Sequence, residues 1–157
     1  MTVEATSNSN IPPGRVPGIA NALLKVVLRS PLHRMVSSQL MLITFTGRKS
    51  GKQYTTPVGY MQDGEHITLF TDHQWWRNLR DNAPVSVVVK GKTYQGSSNA
   101  ILDKTITEQE MQRYLGRLPN AARAFQVQKN SSGELDRSAM HEAAQRFTMM
   151  RIDLHQS

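Results

Sequence analysis

The segment just after residue 46 holds the side chains best suited to chemistry. Gly47–Lys52 (GRKSGK) places three cations, a hydroxyl and two glycines in one short run between two strand-like segments. Glycine near each end lets consecutive backbone N–H groups converge on one anion, and the cations and Ser50 can bind the same anion. The spacing fits neither a Walker A motif nor a GxGxxG dinucleotide motif. The run therefore predicts a phosphate-binding turn, with a solvated hairpin loop as the alternative.

A second group of residues brings both tryptophans of the chain together. The run 75–80 has the sequence WWRNLR. On a helix Trp75 and Leu79 share a face and Trp76 lies about 100° away, so one ring can pack in the core while the other lines a cleft. Asn78 can both donate and accept hydrogen bonds to a heterocycle or to backbone. The alternative is a core anchor beside two solvated arginines. His73, just before the tryptophan pair, could touch a ligand or be an ordinary loop residue.

The charge of the chain favours an anionic partner, with a basic surface that serves solubility as the alternative. Lys and Arg number 19 against 12 Asp and Glu, which gives a net charge of +7, and the chain has no cysteine. Thiolate chemistry and disulfides are excluded, and we expect no metal because the histidines lack ligand spacing. Nucleic acid is a weaker option than a phosphorylated cofactor, since the basic residues lack interleaved aromatics. These histidines are His33, His66, His73, His141 and His155.

No catalytic constellation is evident in the sequence. The carboxylates lie at turns without forming an acid–base pair, and no GxSxG motif is present. Tyr114 is a candidate on chemistry alone, and a packed helical tyrosine is the alternative. A chain with an anion-binding turn and aromatics, but no activated nucleophile, is suited to holding a cofactor that performs the reaction.

The pattern of apolar residues predicts hairpin-linked strands with a few helices. Residues 1–16 are expected to form a flexible tail, followed by a helix from Pro17 and a short turn at 32–37. The basic residues around that helix make a peripheral membrane contact one option, and packing over the sheet the other. We expect a cytoplasmic protein, because no signal peptide or span of about 20 apolar residues is present.

Six strands are predicted, with turns at 63–64 and 91–92, and they favour an antiparallel sheet or small barrel over alternating βαβ units. The predicted strands are 40–46, 54–61, 66–71, 84–90, 93–102 and 147–154, and the predicted helices are 74–81, 107–117 with Thr107 as its cap, 121–127 and 138–146.

Two blocks, Leu42–Tyr60 and Trp75–Val87, resemble the signature segments of the deazaflavin-dependent nitroreductases, which belong to the split β-barrel flavin/deazaflavin oxidoreductase superfamily. The resemblance implies a mainly β (α+β) fold, a six-stranded antiparallel split β-barrel of the FMN-binding type. An N-terminal helix and further helices would pack around it. Residues 17–157 would then form a single domain after the flexible tail.

The resemblance also implies a cofactor and a set of contacts. The cofactor is the deazaflavin coenzyme F-420, which carries a phosphate and a lactyl-oligoglutamate tail. By resemblance Arg48, Lys49, Ser50 and Gly51 would hold the phosphate, Thr55, Thr56 and Pro57 would lie along the deazaflavin or its ribityl chain, and Thr71, Trp75 and Asn78 would line the ring pocket. The chain departs from the family at Tyr54, where arginine is common, and in the short loop 72–74.

The implied reaction is hydride transfer from the reduced deazaflavin to a quinone, nitroaromatic or enone. The segment 104–146 would form the substrate side, and no catalytic residue is assigned. Two alternatives stay open: an FMN-binding oxidoreductase of the same fold, and a non-catalytic carrier of cofactor, tetrapyrrole or lipid. A homodimer is a further expectation.

Overall fold

The computed structural model describes residues 3–5 and 40–156. The predicted helix from Pro17, the turn at 32–37 and the membrane contact assigned to that helix lie outside the described residues. Within the predicted tail 1–16, the described residues Val3–Ala5 form a strand, and the rest of that segment also lies outside the described residues. Among the helices that the structure describes, none has both the length and the apolar character needed to cross a membrane.

In residues 3–5 and 40–156, eight antiparallel strands form one sheet in the order β1-β3-β2-β6-β7-β8-β5-β4. Two α-helices and two 3₁₀ helices of the same residues accompany the sheet. The strands are β1 (Val3–Ala5), β2 (Leu40–Thr46), β3 (Gln53–Gly59), β4 (Met61–Asp63), β5 (His66–Thr71), β6 (Ala83–Val89), β7 (Lys92–Ile101) and β8 (Thr148–Leu154); the helices are α1 (Lys104–Arg117), α2 (Arg137–Arg146) and the 3₁₀ helices Gln74–Leu79 and Pro119–Arg123.

The predicted number of six strands is too low by two short ones. The six strands of six or more residues match the predicted six, whereas β1 and β4 have three residues each. A single strand predicted over 54–61 is in fact β3 and β4, which are separated at Tyr60. Pro57 of β3 pairs with Leu42 of β2, and β1 ends its pairing with β3 at Thr55. The other side of Pro57 therefore has no strand partner among the described residues, which is where a proline is tolerated in a sheet.

The sheet curves strongly around its main core. Alternate residues of β2, β5, β6 and β8 contribute to one apolar cluster, and β3 and β5 contact each other although they are far apart in the strand order. Ile67 and Leu69 of β5 point into this cluster, whereas their neighbour Phe70 packs in a second cluster with α1 and α2. The helices therefore cover the outer face of the barrel, close to the end of β5.

Three predicted boundaries are wrong by a few residues. The β6–β7 turn is Lys90–Gly91, with φ of 50° and 80°, and not 91–92; two consecutive positive φ values are typical of a type I′ hairpin. Asp103, not Thr107, caps α1, because its carboxylate accepts from the N–H groups of residues 105 and 106. The helix predicted over 121–127 is a 3₁₀ helix that begins at Pro119.

Candidate coenzyme and acceptor site

The Gly47–Lys52 turn is closed by its own backbone and leaves two N–H groups without an acceptor in the described part of the chain. Gly47 N donates to Lys52 O at 2.7 Å, and Gly51, at φ +67°, donates to Gly47 O at 2.9 Å. Within residues 3–5 and 40–156, the N–H groups of Lys49 and Ser50 have no protein acceptor. They are adjacent in the chain and exposed at the tip of the turn, so they can donate to a bound anion.

Packing around the turn explains why residue 47 is glycine. A Cβ atom there would lie 2.8 Å from both Ser50 Oγ and the Tyr54 ring. The hydroxyls of Ser50 and Tyr54 are 3.3 Å apart, and Ser50 Oγ also accepts from Lys52 N at 3.2 Å. Tyr54 therefore supports the turn at the position where arginine is common in the resembling family.

Asn78 joins the turn to the 3₁₀ helix Gln74–Leu79. Its Oδ1 accepts from Arg48 N at 3.0 Å, and its Nδ2 donates to Trp75 O at 3.1 Å. Both ends of the carboxamide are thus used to connect two segments 30 residues apart. Asn78 lines the cavity described below, and its main contribution is to fix the turn against the helix.

Arg48 is engaged in a second connection to the same helix. Its guanidinium donates to Arg80 O at 3.0 Å and to Asp81 Oδ2 at 2.8 Å. The hydrogen bond from Arg48 lowers the pKa of the Asp81 carboxyl below its ordinary value. Asp81 and Asn82 have positive φ, so the chain turns sharply after the helix and presents this carboxylate to Arg48.

Three aromatic rings form a continuous stack beneath the turn. Phe45 lies between Tyr54 and Trp75, with ring centroids 5.7 and 5.3 Å apart and interplanar angles of 23° and 19°. Phe45 is buried at the end of β2, and the other two rings are half-buried. The stack joins the turn, the start of β3 and the 3₁₀ helix into one rigid wall.

A cavity of about 510 Å³ opens above this wall and is strongly cationic. Four cations line it, and its described lining includes no carboxylate; the four are Arg48, Lys49, Arg77 and Arg80. The guanidiniums of Arg77 and Arg80 lie 5.8 and 6.0 Å from the centroid of the Trp76 ring. The Lys49 ammonium has neither an ion pair nor a hydrogen bond to any described residue, so it is available to an anion.

A second cavity of about 200 Å³ adjoins the first, and Trp75 lines both. Its apolar lining comes from Pro57 of β3, Phe70 at the end of β5 and Phe147, the residue before β8. Thr56 and Thr71 contribute hydroxyl groups. The ring of Phe147 is held by the Phe125 ring at 4.7 Å, and Lys104 Nζ donates to its carbonyl oxygen at 2.8 Å.

The predicted site residues thus divide between two cavities, with two exceptions. Thr55 lines neither cavity: it is fully buried, and its hydroxyl lies 2.9 Å from that of Thr44 across the β2–β3 pair. Gly51 shapes the turn without lining a cavity. The first cavity, here called the cationic cavity, is lined by Arg48, Lys49, Ser50, Trp75 and Asn78 of the predicted residues. The second, here called the aromatic cavity, is lined by Thr56, Pro57, Thr71 and Trp75.

Tyr114, the one residue considered for catalysis, packs in the second apolar cluster. Its ring makes edge contacts with Phe70 at 5.6 Å and Phe125 at 5.8 Å. Burial raises the pKa of Tyr114 to about 12. It lines neither cavity, so the packed tyrosine is the interpretation that the structure favours.

Several lining residues were not identified from the sequence. Phe45 is the last apolar residue before the turn, and that position was its only signal. Phe70 and Phe147 lie 77 positions apart in the chain, and they meet because β5 pairs with β8 through Thr71 and Thr148. Arg77 and Arg80 were considered only as solvated arginines. No group of three or more potential metal ligands occurs among the described residues.

Comparisons with solved structures identify the fold. An FAD-binding protein from Mesorhizobium loti has a TM-score of 0.51 at 15% identity, over 86% of this chain and 88% of that chain. The heme storage protein HutZ from Vibrio cholerae has a TM-score of 0.50 at 12% identity, over 82% and 91%. A protein of unknown function from Agrobacterium tumefaciens has a TM-score of 0.51 at 19% identity, over 92% and 61%.

At these identities the similarity shows the fold alone. The predicted antiparallel split β-barrel is confirmed. No curated protein matches the chain.

One family of proteins does match over most of the chain. The family model described as F420H(2)-dependent quinone reductase covers residues 29–135, which include the turn, the tryptophan pair and the lining residues of the cationic cavity. The predicted deazaflavin-dependent reductase with coenzyme F-420 is confirmed at the level of the family. The chain belongs to the F420H(2)-dependent quinone reductase family.

Proposed function

We propose that this reductase transfers hydride from reduced coenzyme F-420 to a quinone, with the two adjoining cavities as its active site. The observation that supports this assignment most is that Trp75 lines both cavities, one of which is cationic and the other aromatic. A ligand with a charged phosphate and a flat ring system needs these two environments side by side.

The cationic cavity suits the phosphate end of the coenzyme. The Lys49 ammonium and the N–H groups of Lys49 and Ser50 have no acceptor among the described residues, and Arg77 and Arg80 add positive charge to the lining. Charge-assisted hydrogen bonds of this kind are short and about twice as strong as neutral ones. Arg48 contributes charge while its guanidinium holds the turn through Asp81.

The aromatic cavity suits the ring end. Thr56, Pro57 and Thr71 would lie along the ring, and Trp75 and Phe147 would border it. The bound coenzyme supplies the hydride, which the protein itself has no group to provide. The residues of the chain orient the two reactants and exclude water from the apolar walls, and this positioning is their contribution to rate.

The acceptor is assigned to the quinones because of the family and because of the walls. A quinone is flat, apolar and electron-poor, so it can stack against the bound coenzyme ring and the aromatic side chains that border it. The structure also supports the predicted role of segment 104–146, since Phe125 and Lys104 hold Phe147 in place from that side. Nitroaromatics and enones share the electron deficiency and are the competing acceptors.

The proposal is tested by following the absorbance of reduced coenzyme F-420 under anaerobic conditions with three acceptors: a naphthoquinone, a nitroaromatic and an enone. We expect kcat/KM to be highest for the quinone. The reaction without protein is the control for direct reduction. A higher kcat/KM for the nitroaromatic or enone would overturn the quinone assignment, and failure to oxidise the coenzyme with any acceptor would favour a carrier.

A flavin is the second candidate ligand, because an FAD-binding protein from Mesorhizobium loti has this fold and a cationic turn suits any flavin phosphate. Titration of the protein with coenzyme F-420 and with FMN, followed by fluorescence of the two tryptophans, separates the two. Tighter binding of FMN would contradict the deazaflavin assignment. The predicted homodimer and membrane contact stay predictions, which sedimentation and vesicle binding would measure.

A further inference from the structure

Two titratable side chains stand out in the aromatic cavity. Among its lining residues in the described chain, Asp72 and His73 are the ones with an ionisable side chain. The other lining side chains are apolar, aromatic or hydroxyl-bearing. Both residues come from the short loop between β5 and the 3₁₀ helix Gln74–Leu79, directly beside Trp75.

This loop is held in place at its base. His73 N donates to Thr71 Oγ1 at 3.1 Å, and Thr71 is buried at the end of β5, where it pairs with Thr148 of β8. Asp72 Oδ1 lies 3.6 Å from His73 Nε2. The His73 side chain is 76% exposed, so water reaches it from the open side while its loop borders the cavity.

We propose that His73 donates the proton that completes reduction of the quinone, and that Asp72 is a positioning residue for its imidazole. The assignment rests on the proposed function. Hydride transfer from the reduced coenzyme gives the quinone two electrons and one hydrogen and leaves a hydroquinone anion with a negative oxygen. The N–H bond of protonated His73 then breaks and an O–H bond forms on that oxygen. The neutral imidazole regains a proton from water at the mouth of the cavity.

The geometry separates this role from those of the other ionisable groups. Tyr114 is packed among aromatic rings and does not line the cavity. The cations of the neighbouring cavity lie on the far side of the Trp75 wall and are suited to an anion. Asp72 is the charged group that faces His73 from its own loop, and the described lining from β3, β5 and the residue before β8 brings no other.

The test compares two acceptors that differ in their need for a proton. A naphthoquinone takes up hydride and a proton, whereas an N-methylacridinium ion takes up hydride alone and becomes neutral. His73→Gln keeps a polar side chain but removes the proton donor. His141→Gln is the matched control. His141 in α2 is also exposed, and its Nδ1 lies 3.0 Å from a carboxylate oxygen of Glu108 in α1.

We expect His73→Gln to lower kcat with the quinone by about 100-fold, the lower end of the usual effect of general acid catalysis, because water can replace the donor in part. The rate with the acridinium ion and the affinity for coenzyme F-420 should not change. Free imidazole should restore quinone reduction by His73→Ala, and His141→Gln should behave as the wild-type protein does.

Undiminished quinone turnover in His73→Gln would overturn the assignment, and so would an equal loss with both acceptors or a failure of imidazole to rescue His73→Ala. Each of these results leaves the wild-type reductase active, so the proposed function would stand. A wild-type protein that reduces no quinone would instead overturn the proposed function and, with it, the role of His73.

Discussion

Arg48 and Lys49 are neighbours in the chain, but they have different surroundings. The Arg48 guanidinium is bound to Asp81 and to the carbonyl of Arg80, whereas the Lys49 ammonium has no partner in the part of the chain that the structure describes. The sequence grouped the two as phosphate ligands, because nothing in a local pattern shows that Asp81, 33 positions away, would reach Arg48. A phosphate-binding turn was predictable from the sequence. The different roles of Arg48 and Lys49 were not, because they depend on the tertiary contact between Arg48 and Asp81.

A prediction at the residue scale concerns Tyr114. Because its ring packs against Phe70 and Phe125 outside both cavities, Tyr114→Phe should leave kcat and KM for the quinone within about twofold of the wild-type values. Steady-state kinetics with reduced coenzyme F-420 measures this. A fall in kcat of tenfold or more, without a change in melting temperature, would show that the hydroxyl takes part in the reaction.

The strands and helices around the site were largely predictable. The residues at which they begin, and the contacts that connect them, were not. Val-rich and β-branched runs gave β2, β5, β6 and β8 within about one residue, because alternation and burial leave a strong local signal. The start of α1 was predicted at Thr107 because Glu110 completes a capping-box pattern. The helix begins earlier because Asp103 accepts two backbone hydrogen bonds, while the Thr107 hydroxyl donates to Asp103 O inside the first turn. Asp103 and Thr107 both fit the sequence pattern of a cap residue, and the backbone hydrogen bonds show that Asp103 occupies the cap position.

Asn78 is the residue that joins two elements at the site. Asn78→Ala removes the hydrogen bonds to Arg48 N and Trp75 O, so the free energy of unfolding should fall by about 1–3 kcal/mol. Affinity for coenzyme F-420 should fall with it, because the turn is no longer fixed. Urea denaturation and fluorescence titration measure the two effects.

Asn120→Ala, at an exposed position of the 3₁₀ helix Pro119–Arg123, is the control for Asn78→Ala. If the two variants lose equal stability, Asn78 does not join the turn to the helix in the way described.

The Asp63 carboxylate of β4 forms ion pairs with Arg113 and Arg117 of α1. The attachment of α1 to the β4–β5 hairpin should therefore depend on pH. Hydrogen bonds from Arg117 at 2.7 Å and from Arg113 at 2.8 Å lower the pKa of Asp63. A lowered pKa in the folded state means that the stabilisation is complete above about pH 4 and is lost as pH falls through the lowered value. The wild-type protein should therefore melt at a higher temperature than Asp63→Asn at pH 7, and the difference should shrink towards pH 2.5.

Thermal denaturation across that pH range tests the attachment of α1. Glu134→Gln removes an exposed carboxylate that has no ion pair among the described residues, so its difference from the wild-type protein should not depend on pH in the same way. A difference between wild type and Asp63→Asn that widens on acidification would contradict the assigned ion pairs.

At the scale of the whole molecule, charge and curvature act together. The net charge of +7 pointed to an anionic partner, and the curved sheet places four cations around a single cavity. The fold class followed from the strand pattern and the family resemblance. The meeting of the cationic and aromatic cavities at Trp75 could not be predicted, because it depends on how far β5, β8 and the 3₁₀ helix bend towards one another.

The concentration of charge predicts a dependence of coenzyme binding on salt. The Debye length falls from about 30 Å at 0.01 M salt to about 8 Å at 0.15 M, so attraction between the cavity and an anionic ligand weakens. The Kd of coenzyme F-420 should rise several-fold over this range, whereas KM for an uncharged quinone should stay nearly constant. Equal responses of the two values would contradict an electrostatic contribution from the cavity.

The central claim is that the Gly47–Lys52 turn binds the phosphate of the coenzyme, and a double comparison tests it directly. The fluorescence of Trp75 and Trp76 reports binding of coenzyme F-420 and of the same ribityl deazaflavin without its phosphate, to wild type, to Lys49→Ala and to the exposed control Lys129→Ala. Lys49→Ala should cost about 1.5–3 kcal/mol of affinity for the coenzyme, roughly 10- to 150-fold in Kd, and almost nothing for the phosphate-free compound. Lys129→Ala should change neither. An unchanged Kd for the coenzyme in Lys49→Ala, or an equal loss for both compounds, would contradict the claim.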